Sequence, residues 1–294
     1  MPKYNYITKD GAIYDQKLLQ GSVTADLETP DVKLVQGGKS FTLTTISTSG
    51  YKAHTRGKGY NEGELKNDKK VYTMGQDRDV EFFVDKEDVD ETNDDLEAAR
   101  VSKEFIDSQA TPELDAYRFS ALVAKTKELK PENITEDTID ESNVYTTLKK
   151  AILPVRKFGP QNVIIYVSSV VMDALERSKE FTRSITNQNV GQTALESRIT
   201  SIDGMVIKEV WADERFYDKF DFTDGFAPAA DAKHINFLIV AKPAVIAVAK
   251  TNSIYFFAPG EHTQGDGYLY QNRLYHDLWV KEQQVDGVRA SLSK

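Results

Sequence analysis

The sequence predicts an α+β fold in which a long strand hairpin precedes helices, and helices then alternate with strands towards the C-terminus. Three patterns support this class. Apolar and polar residues alternate with a period of two over 41–46, apolar residues recur at helical spacing over 101–121, and long apolar or aromatic strands follow residue 234. A chain of 294 residues is long enough to bury a substantial core.

Composition excludes several classes of protein. A net charge of −9 argues against tight non-specific binding of nucleic acid. The absence of cysteine excludes disulfides, thiolate zinc sites and cysteine nucleophiles. The first ten residues contain no apolar segment, so we expect no secretory signal. The apolar run 235–249 is interrupted by Lys242 and Pro243 and falls short of the roughly 20 residues of a spanning helix, which predicts two buried strands in a soluble chain.

Residues 1–40 are polar and keep no regular period. This composition predicts either a disordered tail or an arm that becomes ordered against neighbouring subunits. The apolar residues available as anchors for such an arm are Tyr4, Tyr6, Ile13, Tyr14, Leu18 and Leu19.

A long hairpin follows. The strand pattern of 41–46 returns at 71–74 and again at 80–84, and the segment 50–70 between the first two is rich in glycine and lysine. A connection of this length inside a compact domain is usually functional or disordered. We therefore predict a long, mobile hairpin.

The next segment, 81–97, is strongly acidic, whereas the hairpin tip is predicted to be basic and to contain Lys52, Arg56, Lys58, Lys66, Lys69 and Lys70. Opposite charge on adjacent segments predicts contact between different copies of the chain, although two solvated charged faces would give the same pattern. The candidate inter-subunit contact residues are Lys58, Lys66, Lys69, Lys70, Asp85, Asp88, Asp90 and Glu91.

Helical signals begin at Thr92 and Asn93, which are good N-caps followed by acidic residues. Pro112 interrupts the apolar period, which predicts either two consecutive helices or one kinked helix that ends near Leu129. Beyond residue 131 the pattern predicts a helix over 144–157 that Pro154 shortens, a fully buried strand over 163–167, a helix over 169–179 and a strand near 205–210.

No catalytic, cofactor or metal motif is present. The four histidines lack metal-ligand spacing, and no nucleophile elbow, phosphate-binding loop or zinc-protease helix occurs. His276 and Asp277 are neighbours on a strand, so their side chains point to opposite faces and cannot pair. We predict no catalytic residue, no cofactor and no metal, and long aromatic strands without such chemistry favour a building block over an enzyme.

Two sequence blocks carry a resemblance. The run Phe-Phe-Val-Asp-Lys-Glu-Asp-Val-Asp-Glu-Thr-Asn over 82–93 and the run Pro-Glu-Leu-Asp-Ala-Tyr-Arg-Phe-Ser over 112–120 resemble the major capsid proteins of tailed bacteriophages, particularly those of Gram-positive hosts. The segments 234–240 and 268–280 resemble the closing part of the same proteins. The resemblance covers most of the chain, from the hairpin to the C-terminus.

The resemblance implies the Hong Kong 97-type fold and a division of the chain. It assigns an N-terminal arm to 1–40, an extended hairpin called the E-loop to 41–80, a P-domain with a spine helix to 81–130 with further strands at 252–282, and an A-domain to 131–251 with a last strand in 283–294.

The resemblance also implies a function. Such proteins self-assemble into pentamers and hexamers that form an icosahedral shell around phage double-stranded DNA, so we expect a location in the virion after assembly in the host cytoplasm. Expected partners are copies of the chain, scaffolding and portal proteins, and packaged DNA contacted weakly and non-specifically, with no membrane. Because the chain begins directly with a short arm, we expect any scaffolding protein to be separate.

Three other interpretations stay open from the sequence. An encapsulin-type compartment protein would share the fold. A soluble acidic hydrolase with a mobile lid at 50–70 would require a deep pocket lined by carboxylates of perturbed pKa. A tail or adhesion protein that binds glycans would suit the aromatic strands but tends towards an all-β architecture.

Overall fold

The fold is that of a computed structural model, which describes residues 21–29, 40–56, 59–91, 98–179 and 201–294. Helices and sheets both contribute, so the predicted α+β class is confirmed. The anchors expected in residues 1–20, the candidate Lys58 and the helix start expected at Thr92 lie outside the described residues. Among the described helices, none has the length and apolarity needed to cross a bilayer.

The elements have the following bounds in the described ranges. The strands are β1 (Ser40–Thr48), β2 (Leu65–Thr73), β3 (Gln76–Asp85), β4 (Ile134–Glu136), β5 (Val163–Ser168), β6 (Ser201–Ile202), β7 (Met205–Val210), β8 (Phe220–Asp221), β9 (Ala227–Pro228), β10 (Ile235–Ala241), β11 (Val245–Phe257), β12 (Gly267–Val280) and β13 (Val288–Leu292). The α-helices are α1 (Lys86–Glu91), α2 (Ala98–Phe105), α3 (Thr111–Leu129), α4 (Val144–Ile152) and α5 (Ser169–Arg177).

A six-stranded sheet holds most of the core. Its strand order is β4-β13-β10-β5-β7-β6, with β10 antiparallel to both of its neighbours. Every residue of β5 and β10 is buried, as a strand covered on both faces requires, and the predicted fully buried strand over 163–167 is confirmed. Helix α4 ends at Ile152 and a 3-10 turn containing Pro154 follows, because proline cannot supply the next backbone donor.

A second sheet has three antiparallel strands in the order β11-β12-β3. The strands have 10 to 14 residues, and β11 keeps its pairing with β12 on both sides of a bulge between Ala249 and Thr251. Polar residues at this bulge resemble a turn in the sequence. Two domain boundaries drawn from the sequence, at 80/81 and at 251/252, consequently fall inside β3 and β11.

The helical segment from Ala98 to Leu129 is continuous. A π-helical turn, Ile106–Ala110, joins α2 to α3, and Ala110 and Thr111 both keep helical backbone angles. The wider π turn precedes Pro112 and accommodates a residue that has no N–H to donate. Of the two predicted alternatives, two separate helices are not observed: Ala98–Leu129 is a single helical run with a π turn before Pro112, and its predicted end near Leu129 is confirmed.

Helix α1 is absent from the sequence-based prediction, which starts the helix at Thr92. The structure begins a helix at Lys86, where the Asp85 Oδ1 accepts a hydrogen bond from the Glu87 amide at 3.0 Å. A single carboxylate that binds its own backbone two residues on is a local capping interaction. Acidic residues that look like a solvated loop are therefore the first turn of a helix.

Candidate functional site

The β1–β2 hairpin forms a two-stranded sheet that pairs with no other strand in the described part of the chain. The antiparallel register sets Ile46 opposite Asn67 and Leu65 opposite Thr48, so Ile46, Leu65 and Val71 lie on the same face as Lys69. These three aliphatic side chains are 65%, 72% and 61% exposed. An isolated hairpin is marginally stable in water, and an exposed aliphatic face on it is suited to being covered by another surface.

The loop at the end of the hairpin is closed by its own hydrogen bonds. Ser49 and Glu64 exchange two bonds of 2.9 Å, and Lys52 Nζ donates to the Glu62 carbonyl at 2.8 Å. Tyr51 and Tyr60 are fully exposed. The predicted hairpin is confirmed, with a loop of 49–64 that is shorter than the predicted 50–70 because β1 and β2 are both longer than their patterns suggest.

The predicted basic residues do not form one cluster at the tip. Lys66, Lys69 and Lys70 all lie within β2, so assigning them to the tip is wrong. Lys70 instead pairs with Glu282 of the same chain, and the hydrogen bond that Lys70 Nζ donates to the Glu282 carboxylate raises the pKa of Lys70. The polar stretch of β2 resembles a loop in the sequence, and only its pairing with β1 makes it a strand.

The predicted acidic partners lie at the opposite end of β3 from the hairpin. Asp85 is the last residue of β3 and Asp88 is half-buried in α1; Asp90 and Glu91 belong to the same helix, but their side chains lie outside the description. At about 3.3 Å per residue, Asp85 is roughly 30 Å along the strand from Gln76, the strand's first residue. Lys70 meets Glu282 within one chain and the acidic segment does not contribute to that pair.

The three-stranded sheet presents a second acidic surface. Asp77, Asp79 and Glu81 alternate along β3 and are exposed on one face of the sheet. Arg273 donates two bonds to Asp77, at 2.9 and 2.7 Å. Hydrogen bonds from Gln271 and Gln264 lower the pKa of Glu81, so this carboxylate is ionised at neutral pH.

Arg78 ties the opposite face of this sheet to α3 and to the turn after β8. Its Nε donates to Glu113 Oε1 at 2.7 Å, and its two terminal nitrogens donate to the carbonyls of Phe222 (2.6 Å) and Gly225 (3.3 Å). These contacts border a cavity of about 350 Å³ that His276 also lines.

The cavity has two groups of perturbed pKa. Burial raises the pKa of Glu113 despite its bond to Arg78, and burial lowers the pKa of His276 to about 4. The Glu113 carboxylate is bound to the Arg78 guanidinium and acts as its ion-pair partner. His276 is neutral above pH 4 and packs edge-on against Tyr117, with ring centroids 5.0 Å apart. Across the described residues, no group of three or more histidine and acidic side chains could hold a metal ion.

Residues 21–29 are bound tightly to the body of the protein. Asp115 of α3, fully buried, accepts hydrogen bonds from the amides of Val23 (2.9 Å) and Thr24 (3.2 Å) and from the hydroxyls of Ser22 and Thr24. Its Oδ2 also lies 3.0 Å from Arg215 Nη1. We call residues 21–29 the strap.

The strap also joins the main core and both sheets. Val23 and Leu27 are buried in the main apolar cluster. Asp26 pairs with Lys208 of β7 at 2.6 Å, and the Thr29 amide donates to the Ala247 carbonyl of β11 at 3.0 Å. This part of the predicted arm is therefore an integral part of the fold.

The sequence patterns do not indicate the residues that hold the strap, which are Asp115 and Arg118. Arg118 donates to the Thr24 carbonyl at 3.1 Å and pairs with Glu28 at 2.9 Å. Asp115 and Arg118 interrupt the apolar face of α3 and are 0% and 1% exposed. Buried charges require partners, so a charged residue on an apolar helical face is a sequence signal for an internal ion pair. Nothing in the local sequence identifies Arg215 as the partner.

Comparison with known proteins gives no family model and no curated protein that matches the sequence. Solved structures do match over nearly the whole chain. The asymmetric unit of the bacteriophage PhiM1 mature capsid has a TM-score of 0.70 at 16% identity, covering 99% of this chain and 92% of that one. A structure from Mycobacterium phage Che8 has a TM-score of 0.65 at 14% identity, covering 98% and 97%.

The capsid of the cyanophage P-SCSP1u gives a similar result, with a TM-score of 0.67 at 12% identity and coverage of 98% and 93%. The chain therefore has the fold of bacteriophage capsid subunits, and the α+β capsid fold implied by the sequence resemblance is confirmed. Sequence identity this low establishes the fold alone.

Proposed function

We propose that this chain, which has the fold of bacteriophage capsid structures, is a major capsid protein that self-assembles into pentamers and hexamers of an icosahedral shell around double-stranded DNA. The observation that carries the proposal is the correspondence of the fold over 99% of this chain and 92% of the PhiM1 capsid chain. A location in the virion, after assembly in the host cytoplasm, follows from the same proposal.

We assign no enzymatic activity to the chain. The cavity beside Arg78 would suit the alternative of a hydrolase, but its carboxylate Glu113 is bound to a guanidinium at 2.7 Å. The net charge of −9 suits a container whose wall must not adhere to packaged DNA, and weak, non-specific DNA contact is part of the proposal. Scaffolding and portal proteins are the further partners we propose.

We propose the following division of the chain. The arm is 1–40, the E-loop is 41–80, the P-domain is 81–130 with 252–282, and the A-domain is 131–251 with 283–294. The grouping of strands supports it, because every strand of the six-stranded sheet lies in the two A-domain segments, and in the three-stranded sheet β12 lies wholly, and β3 and β11 partly, in the P-domain segments. Ending the E-loop at residue 75 and beginning the second P-domain segment at residue 245 would keep β3 and β11 whole.

The hairpin is the proposed contact between copies. Its aliphatic face, formed by Ile46, Leu65 and Val71, is exposed in the single chain and would be buried by contact with another copy. Its lysines would favour an acidic surface on that copy. The acidic surface we propose is the segment that contains Asp85, Asp88, Asp90 and Glu91, contacted by Lys58, Lys66, Lys69 and Lys70. Lys70 has a partner in its own chain, so we expect Lys66 and Lys69 to contribute more.

Electron microscopy of the purified protein, with light scattering on a sizing column, tests the proposal. Hollow polyhedral shells or ring-shaped capsomers are the expected result. A 33.1 kDa monomer that assembles at no concentration or salt tested would overturn the proposal and make hydrolase assays the next step. Neighbouring terminase and portal genes would distinguish a phage capsid from an encapsulin-type compartment.

A double charge reversal tests the contact separately. We expect Lys66→Glu with Lys69→Glu to slow assembly most at low salt, where exposed charges are least screened. The matched control is Lys150→Glu with Lys179→Glu, which reverses two exposed lysines away from the hairpin. Equal assembly of both double variants at every salt concentration would refute the charged contact and leave the shell proposal intact.

A further inference from the structure

The hairpin joins the body through a short turn that a single buried carboxylate holds. Only Met74 and Gly75 separate β2 from β3. The Asp277 Oδ2 accepts a hydrogen bond from the Gly75 amide at 2.9 Å, and Asp277 is only 5% exposed. The turn is therefore bonded directly to the side chain of a residue on β12.

The other oxygen of the same carboxylate binds helix α3. The Asp277 Oδ1 accepts from the Tyr117 hydroxyl at 2.7 Å and from Lys125 Nζ at 3.1 Å, and also from the Leu278 amide at 2.7 Å. Tyr117 and Lys125 lie two turns apart on α3, so the carboxylate is held from two points of one rigid helix. Asp277 thus links the turn at the hairpin base to the long helix of the body.

Apolar contacts surround this link. Tyr72 and Met74 pack in a small cluster with four side chains of β11 and β12, separate from the main core. The rings of Tyr72 and Trp279 are 5.8 Å apart, and Lys125 Nζ lies 5.3 Å from the centre of the Trp279 ring. The cluster attracts the base of the hairpin to the sheet, but apolar packing is weakly directional.

Hydrogen bonds to a carboxylate are directional, and burial away from water strengthens them. The orientation of the Gly75 peptide group relative to α3 follows from the bond to Asp277. A small rotation of this peptide group would be amplified along the nine residues of β2 into a displacement of the hairpin tip by several ångströms.

We propose that Asp277 sets the direction in which the β1–β2 hairpin leaves the body, and through that direction selects the surface of a second copy that the hairpin reaches. The second half of this statement rests on the proposed function. Asp277 is a positioning residue, because it acts through Gly75 and Tyr117 and the hairpin itself carries the contact surface.

The absence of cysteine makes a direct measurement possible. Spin labels on cysteines placed at Tyr51, in the hairpin loop, and at Glu176, on α5, report the distance between the hairpin tip and the body; both side chains are exposed. Pulsed electron spin resonance under conditions without assembly should give one narrow distance distribution in the otherwise unchanged chain. Asp277→Asn should widen it about twofold or more, because one amide oxygen cannot replace both carboxylate oxygens.

Two controls separate loss of the link from loss of the fold. Asp286→Asn removes a carboxylate that binds Lys130 and Lys157, each within 2.7 Å, away from the hairpin, and should leave the distribution unchanged. A second label pair at Glu132 and Glu176 lies wholly on the body and should keep its distance in Asp277→Asn. Tyr117→Phe, which removes only one of the four donors to Asp277, should give an intermediate width.

An unchanged distribution in both Asp277→Asn and Asp277→Ala would overturn the proposal. A wider distribution with normal shell assembly would keep the positioning role and refute its link to assembly. If the unmodified chain never forms shells, the proposed function fails, but the distance measurement still decides whether Asp277 directs the hairpin.

Discussion

Asp115 and Arg215 are one hundred residues apart in the chain and meet as a fully buried ion pair, with 3.0 Å between Asp115 Oδ2 and Arg215 Nη1. The strap adds hydrogen bonds to this pair, since the backbone amides of Val23 and Thr24 donate to the Asp115 carboxylate. Burial of these charges is tolerated because both oxygens of Asp115 accept several hydrogen bonds. The buried Asp115 carboxylate therefore has all of its hydrogen bonds only when the strap is in place.

Asp115→Ala should therefore destabilise the protein severely. It leaves Arg215 buried without its carboxylate and removes four bonds to the strap, and loss of one member of a buried pair costs about 3–5 kcal/mol. Urea unfolding followed by fluorescence measures the change. Asp173→Ala removes an exposed pair with Arg177 and should change the unfolding free energy by about 1 kcal/mol or less; a similar loss in both variants would contradict the assigned role.

Arg78→Met should destabilise the protein in a manner that depends on pH. It leaves Glu113 half-buried without its partner and removes two further bonds, at a cost of about 2–4 kcal/mol near neutral pH. Burial already raises the pKa of Glu113, so the folded state holds this proton at higher pH than the unfolded chain. Stability from that proton is present at low pH and is lost as pH rises through the folded-state pKa.

The deficit of Arg78→Met relative to the unmodified protein should accordingly shrink as pH falls from 7 towards 4.5. Urea midpoints at four pH values give the measurement. Arg273→Met, which breaks an exposed pair with Asp77, is the control. We expect it to lower the free energy of unfolding only slightly and by a similar amount at every pH. A deficit of constant size across this range would show that Glu113 is not the origin of the effect.

His276 should make the protein less stable in acid. Burial lowers its pKa from 6.5 to about 4, so the folded state binds fewer protons than the unfolded chain between these values. Stability from this residue is fully present above pH 6.5 and falls by roughly 3 kcal/mol as pH drops to about 4. His276→Gln should flatten that dependence in urea unfolding, whereas His54→Gln, at an exposed loop position, should keep it.

Gly267→Ala should destabilise the start of β12. A Cβ at this position would lie 2.4 Å from the Val84 carbonyl oxygen and 2.7 Å from Phe83 Cζ, so β3 would have to move away. Overpacking of this kind costs about 1–3 kcal/mol. Thermal unfolding should detect the loss, and Gly50→Ala, where nothing lies within 4 Å of an added Cβ, should unfold as the unmodified protein does.

Much of the fold is predictable from local pattern. The continuous apolar runs at 163–167 and 235–241 indicate strands buried on both faces, and both are central strands of the six-stranded sheet. The shortening of α4 at Pro154 and the end of α3 at Leu129 follow from proline and from the end of the apolar period. The two blocks over 82–93 and 112–120 point to the capsid fold, while the Gram-positive host stays a prediction.

The candidate site is less predictable. The charges of the hairpin are visible in the sequence, but Lys66, Lys69 and Lys70 look like loop residues because their strand has few apolar positions. Lys70 forms an ion pair with Glu282, more than two hundred residues away in the chain, and no local sequence pattern indicates that pairing. The proposed contact with the acidic segment stays a prediction for the assembled state.

Periodicity reports the backbone conformation that neighbouring residues favour, so the chain alone indicates strands, helices, a long hairpin and the absence of catalytic motifs. Which polar groups meet in the interior is decided by packing, as with the ion pair of Asp115 and Arg215, or the hydrogen bond from the Gly75 amide to Asp277. Such pairs bring distant segments together, and their energy depends on burial and geometry that exist only once both sheets and α3 have assembled. The tertiary structure therefore decides how the strap is held and where the hairpin points.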